Sequence, residues 1–322
     1  MSGVVHGGAP DVVTFGETMA LFTADTPGPL PHVPSLSLGI GGAESNVAVA
    51  LRRLGTSVAW VGRVGADSLG ELVVRELRGE GIDVVPVRDE SAPTGLMIKE
   101  RRTADALKVW YYRAGSAGSR LEPEDVPDDL VTGARLLHVT GITPALSPSA
   151  AAATHHAIDL AREAGVPVSF DLNYRAALWS REEAGEQFRR IMAKVDIVFA
   201  GDDEAGIAVG PASDPRELAR RMAAEGPSQA VLKRGDQGCL ALIDGKEYAR
   251  EAVPVRVVDT VGAGDAFVGG YLAELLGGAE ADRRLRTATQ VGAFACLVPG
   301  DWEGMPRRSE LHLLAPEDPV SR

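Results

Sequence analysis

Apolar stretches suited to buried strands alternate with stretches of helical periodicity along most of this chain. That alternation limits the fold more than any other feature. Residues 11–15 (DVVTF) are apolar and β-rich, and Gly16 bounds them. Ala43, Val47, Ala50, Leu51 and Leu54 then recur at helical spacing up to Gly55, and residues 57–61 read as the next strand. Ser68 with Glu71 has the capping-box spacing ahead of Leu69, Leu72, Val73 and Leu77. Further strands are expected at 136–139, 166–171, 195–199 and 230–233. Helices are expected to open at Ser147-Pro148, at Ser180 with Glu183 and at Asp214-Pro215. Residues 239–243 and 247–250 flank Asp244-Gly245, a turn that predicts a hairpin. Long helices are expected over about 264–276 and 282–297. Such alternation predicts a mostly parallel sheet covered on both faces.

Two segments break the rhythm. Residues 17–38 are rich in Pro, and residues 94–113 hold two strand-like runs with no helix between them. They are expected to pair into a small β-sheet beside the main one. No linker or internal repeat divides the chain, so residues 1–322 are read as one domain.

With 45% hydrophobic and 24% charged residues, the chain can build a core of this kind. The formal charge of -12 disfavours a nucleic-acid partner. No apolar run is long enough to span a membrane, and residues 1–10 lack the Lys or Arg and the apolar block of an export signal. Cytoplasm is therefore the expected location. Cys239 and Cys296 lie far apart, without metal spacing, and read as reduced core thiols. His6, His32, His138, His155, His156 and His312 form no metal pattern.

The segment richest in chemistry is Asp259-Thr-Val-Gly-Ala-Gly-Asp265, expected to follow a strand at 253–258 and to open a helix. Gly262 and Gly264 allow a tight turn and close approach to a ligand. A helix start offers free N–H groups to an anion. Asp265 beside such a cradle suits a base that takes a proton from a hydroxyl attacking phosphate. The alternative is a Gly-rich cap with Asp265 as an ordinary N-cap. No GxxxxGK[S/T] loop exists, and Phe267 stands where a dinucleotide fingerprint needs its third Gly.

Gly39-Ile-Gly-Gly42-Ala-Glu-Ser-Asn46 opens the first long helix, with backbone amides and Asn46 able to meet a polar ligand. The chain holds only two Asn, Asn46 and Asn173, both at expected element ends. Trp110-Tyr-Tyr-Arg113 can enclose a polyol or carboxylate at the end of a strand, or simply form an edge strand. Arg175, after Asp171-Leu-Asn-Tyr, is a ligand clamp or a surface cation.

The DTVGAGD and GIGGAESN segments resemble the two signature regions of the PfkB, or ribokinase-like, carbohydrate kinases, and the resemblance runs over residues 12–304. It implies a three-layer α/β fold with a mostly parallel central sheet and a small β-sheet lid. It also implies transfer of phosphate from ATP to a sugar hydroxyl. Residues 111–119, 141–147 and 171–179 are most similar to the 2-keto-3-deoxygluconate kinase branch. By that likeness Asp265 is the base, and Gly262, Ala263 and Gly264 are the anion hole. Gly42, Asn46, Tyr111, Arg113 and Arg175 face the substrate. Lys233, Gly235, Asp259 and Gly292 lie on the nucleotide side, and Glu204 orders magnesium-bound water. ATP and Mg2+ are implied, K+ is conceivable, and a homodimer through the lid is expected.

Two departures stand out. The family's N-x-x-E element reads Gly201-Asp-Asp-Glu204, and a lid Tyr is replaced by Met97. Kinases for neutral sugars such as fructose or ribose, a nucleoside kinase, and a non-catalytic sugar-binding relative therefore remain as alternatives.

Overall fold

The computed structural model describes residues 8–103 and 107–314, so His6 and most of the 1–10 segment lie outside the described residues. Among the described residues, nine strands form the large sheet. From one edge they are Asp83–Asp89, Val58–Gly65, Val12–Phe15, Leu136–Thr140, Val168–Asp171, Ile197–Gly201, Gln229–Lys233, Cys239–Ile243 and Lys246–Arg250. The first seven run parallel, and the last two add an antiparallel hairpin. Asp244 and Gly245 both take positive φ, at 49° and 78°, as a tight hairpin turn requires.

The parallel strands are apolar without alternation because both faces are covered. Val12, Val13 and Phe15 are buried, as are Ile197, Val198 and Phe199, in two cores on opposite sides of the sheet. Helix starts follow the sequence at Ser147, whose Oγ accepts from Ala150 N at 3.1 Å, and at the Ser180–Glu183 capping box.

The four-stranded small sheet joins Leu36–Gly41, Met19–Ala24, Leu96–Arg101 and Leu107–Tyr112 in that order. Met19, Leu21 and Met97 form its buried cluster. The expected lid segments pair with each other, one parallel contact joining two antiparallel pairs.

Two expectations need correction, and one strand had none. Residues 253–258 are not a strand; Val258 N donates to Cys296 O at 2.8 Å, and Val257 is exposed, so this run is an extended loop beside the helices. The cap of helix Ser68–Gly79 is Asp67, which accepts from Gly70 N at 2.7 Å, not Ser68. The strand Asp83–Asp89 has no periodic signal, since most of it is half-buried at the sheet edge.

The chain leaves the central strand Val12–Phe15 toward one edge and later returns to build the other from Leu136–Thr140. Strand order reverses at this point, and the carboxyl ends there form the crevice where α/β sheets bind ligands.

Candidate active site

Asp171, Gly201 and Lys233 end three adjacent parallel strands, with Phe199 opposite Asp171 and Gly201 opposite Lys233. Facing them, the helix Ala263–Leu276 begins at Gly262, whose φ of 76° is left-handed and suits Gly. Asp265 is the third residue of that helix and makes no capping bond, so the N-cap reading is set aside. The amides of Gly262 and Gly264 have no backbone acceptor among the described residues, while Ala263 N reaches Thr260 O at 3.3 Å. This turn therefore presents free donors at a positive helix end.

The Asp265 carboxylate is held from two other elements. Asn46 Nδ2, in the first turn of helix Ala43–Arg53, donates to Oδ2 at 2.8 Å. Asn173 Nδ2 donates to Oδ1 at 3.3 Å from a loop residue with φ of 41°, a sparsely populated conformation for a residue other than Gly. Asn46 meets Asp265 because the two helices touch one turn further on. A Cβ on Gly269 would collide with Ala50, and these residues lie four after Asp265 and Asn46. Burial pushes the Asp265 carboxyl up to about 7; the Asn46 bond pulls it down, while Asp171 adds repulsion.

Lys233 Nζ bonds both oxygens of Asp171, at 2.8 and 2.6 Å. Burial disfavours its charge, but the carboxylates of Asp171 and Glu204 outweigh this and raise its pKa. A Cβ on Gly264 would sit 3.4 Å from Lys233 Nζ, so this ammonium lies against the turn. Glu204 accepts from Tyr174 N at 2.9 Å and Gly201 N at 2.7 Å, leaving two of its lone-pair positions free. Asp202, next to the missing Asn, accepts from Arg234 Nε at 3.0 Å, and its Oδ1 is buried without a partner.

A cleft of about 700 Å³ opens beside the turn, a size that suits a small-molecule ligand. Lys233, Gly235, Gly264 and Gly292 line it, together with Phe267 and Cys296. Its lining is mainly apolar, as a flat heterocycle prefers. Cys296 is therefore half-buried at a cleft wall, whereas Cys239 is buried in the core. Asp259 is not on that wall; it accepts from Val261 N at 3.1 Å and braces the turn from behind.

On the lid side, Gly42 caps its helix in extended conformation, packed on the Glu17 backbone. Arg113 is ion-paired with buried Glu17 at 2.6 Å, and Ser116 also donates to that carboxylate. Glu17 carried no signal in the sequence. Arg175 donates to Tyr174 O at 3.0 Å and makes no ion pair among the described residues. Tyr111 is exposed on the lid, with the Arg113 guanidinium 5.8 Å from its ring centre. Asn46 Oδ1 and Thr18 Oγ1 are buried without a hydrogen-bond partner among the described residues. Among the described residues no cluster of three His, Cys, Asp or Glu is arranged to hold a metal, and no helix is long and apolar enough to cross a membrane.

Residues 9–308 match the pfkB family carbohydrate kinase profile. The chain is 38% identical over 306 residues to 2-dehydro-3-deoxygluconokinase of Bacillus subtilis, covering 94% of each. The crystal structure of 2-dehydro-3-deoxygluconokinase from Thermotoga maritima superposes with a TM-score of 0.85 at 28% identity, over 97% of this chain and 99% of that one. Fructokinase with bound ATP from Xylella fastidiosa superposes with a TM-score of 0.83 at 25% identity, over 95% and 98%.

Proposed function

The chain belongs to the pfkB family of carbohydrate kinases and is an ATP-dependent sugar kinase; we propose that it phosphorylates the primary hydroxyl of 2-keto-3-deoxygluconate, with Asp265 as the base. The observation that carries this reading is the Asp265 carboxylate, held by Asn46 and Asn173 beside a turn of free amides.

In the proposed step the sugar hydroxyl oxygen forms a bond to the γ-phosphorus of ATP. The bond from that phosphorus to the β,γ-bridging oxygen breaks, ADP leaves, and the hydroxyl proton passes to Asp265. The free amides of Gly262 and Gly264 stabilise charge on the transferred group, and Lys233 adds a cation beside them. Magnesium would supply positive charge to offset that of the phosphate oxygens, and Glu204 would hold it through water. The two free lone-pair positions of Glu204 fit a water of its shell. The cleft beside Gly235 and Gly292 takes the nucleotide.

The acid-sugar assignment draws on Arg175, whose guanidinium makes no ion pair among the described residues, and on the name of the Bacillus subtilis relative. The Arg113–Glu17 pair favours a second reading, a neutral sugar, because that guanidinium is already neutralised. The exposed apolar side chains of the lid support dimerisation through it. A cytoplasmic location agrees with a substrate pair of ATP and a sugar acid.

The test is ADP release with magnesium-ATP and a panel of 2-keto-3-deoxygluconate, 2-keto-3-deoxygalactonate, fructose, ribose and adenosine. Turnover confined to a keto-deoxy acid is expected. Turnover on a neutral sugar alone replaces the substrate and keeps the Asp265 chemistry. ATP binding with no turnover on any of the five removes 2-keto-3-deoxygluconate as substrate.

A further inference from the structure

Lys99 is a lid residue with 2% of its surface exposed, in the strand Leu96–Arg101, yet its ammonium reaches past the lid. It is ion-paired with Asp301 and lies 3.9 Å from Asp259 Oδ2. Both carboxylates are buried, and neither has another ion-pair partner among the described residues. The two acids come from different places. Asp259 precedes the glycine turn and accepts from Val261 N at 3.1 Å and from Gly300 N at 3.4 Å. Asp301 follows the last long helix, and its carbonyl packs so tightly on Gly262 that any Cβ there would collide with it. One ammonium therefore ties the lid to both segments that frame the turn.

We propose that Lys99 is a positioning residue, holding the Gly262–Gly264 turn in register from the lid by supplying the single positive charge between Asp259 and Asp301. Two buried carboxylates with no cation repel one another and spread the loops that carry them. The turn moves with them, because Gly262 rests on the Asp301 backbone. A mobile monovalent cation of ammonium size can take the charge role but not the covalent link to the lid.

The proposal rests on reading that turn as the phosphate cradle. The experiment compares the full-length protein and Lys99→Met in potassium chloride and in tetramethylammonium chloride at equal ionic strength. ADP release and the binding of magnesium-ATP by calorimetry are both measured. The wild type is expected to be indifferent to the choice of salt. Lys99→Met is expected to lose about 10- to 100-fold in kcat in tetramethylammonium, the scale of a small misplacement at a reacting centre. Potassium should restore most of that loss, with the KM for sugar little changed. Equal activity of the variant in the two salts, whether high or low, overturns the role. If Lys99→Met does not fold, the wild type decides, since a strong potassium requirement would mean that the lysine does not supply the charge. A wild type that binds no magnesium-ATP refutes the cradle and this proposal with it. Wild-type binding with a salt-indifferent variant removes only Lys99.

Discussion

Asn46 and Asp265 lie 219 residues apart in the chain, yet the Asn46 amide donates to the Asp265 carboxylate at 2.8 Å. Their meeting depends on Gly269, which lets the two helices approach at Ala50. Gly269→Val should force the helices apart at a cost of about 1–3 kcal/mol from overpacking. It should lower kcat more than it raises the KM for ATP, because the nucleotide cleft lies on the other side of the helix start. Urea unfolding and steady-state kinetics check this; unchanged kcat in a destabilised variant would sink the link between packing and the base.

Burial of Asp265 gives two pH effects. Its carboxyl titrates at about 7 in the folded chain against a reference of 3.8, so the base form dominates only above neutrality. The kcat/KM for sugar should rise with pH to a plateau above about 7, since this parameter reports the free enzyme. For stability, the folded state keeps a proton that the unfolded chain has lost between these two values. This group's contribution is therefore greatest below the unfolded value and is lost as pH rises through the folded one. Asp265→Asn removes the dependence. It should be more stable than the wild type at pH 8, with the advantage shrinking toward pH 4, while turnover falls about 10²–10⁴-fold. A wild-type kcat/KM that is flat from pH 5.5 to 8 contradicts the assignment.

Much of this arrangement was legible in the sequence because it is local. The turn chemistry of residues 259–265, the capping box at Ser180 and the Asp244-Gly245 hairpin are each specified within a few residues. The two Asn were visible as oddities, but their common target was not, since three separate elements must fold to bring them to Asp265. Glu17, Lys99 and Asp301 were invisible for the same reason. Each is a single charged residue with no local motif around it, and only tertiary packing makes it a buried ion. Residues 253–258 misled because β-branched residues look alike in a strand and in a loop that lines a cleft.

Lys233 and Asp171 form a buried pair, with the Asp171 side chain fully enclosed. Lys233→Ala leaves that carboxylate alone and should cost about 3–5 kcal/mol in urea unfolding. The KM for ATP should rise as well, since the lost ammonium lies against Gly264. Equal urea midpoints for variant and wild type would rule out the pair as a structural element.

The two arginines near the crevice should behave differently. Arg175→Ala removes a guanidinium that makes no ion pair among the described residues, so it should raise the KM for an acid sugar far more than for a neutral one and leave the melting temperature nearly unchanged. Arg113→Ala strands Glu17, a buried carboxylate, so it should lower the melting temperature whatever the substrate. If Arg175→Ala affects both sugar types alike, the carboxylate reading fails and a neutral substrate takes its place.

The lid presents Leu36, Leu38, Leu107, Trp110, Tyr111 and Tyr112 to solvent, and two of these, Leu38 and Tyr112, are 52% and 60% exposed. They lie on the sheet's outer strands, Leu36–Gly41 and Leu107–Tyr112. Exposed apolar side chains gathered on one small sheet mark an interaction surface, and closed two-fold pairing is the commonest way for one patch to bury itself. Leu38→Asp places a charge in that patch without touching the large-sheet cores. Sedimentation at micromolar concentration should show a wild-type dimer and a monomeric variant of equal melting temperature at low concentration. Activity then separates two roles for the contact. If the dimer only shields apolar surface, the monomer keeps its kcat. If it steadies the lid over the crevice, kcat falls and ADP release without sugar rises, because water gains access to the transferred phosphoryl. A wild-type monomer at these concentrations disposes of the pairing.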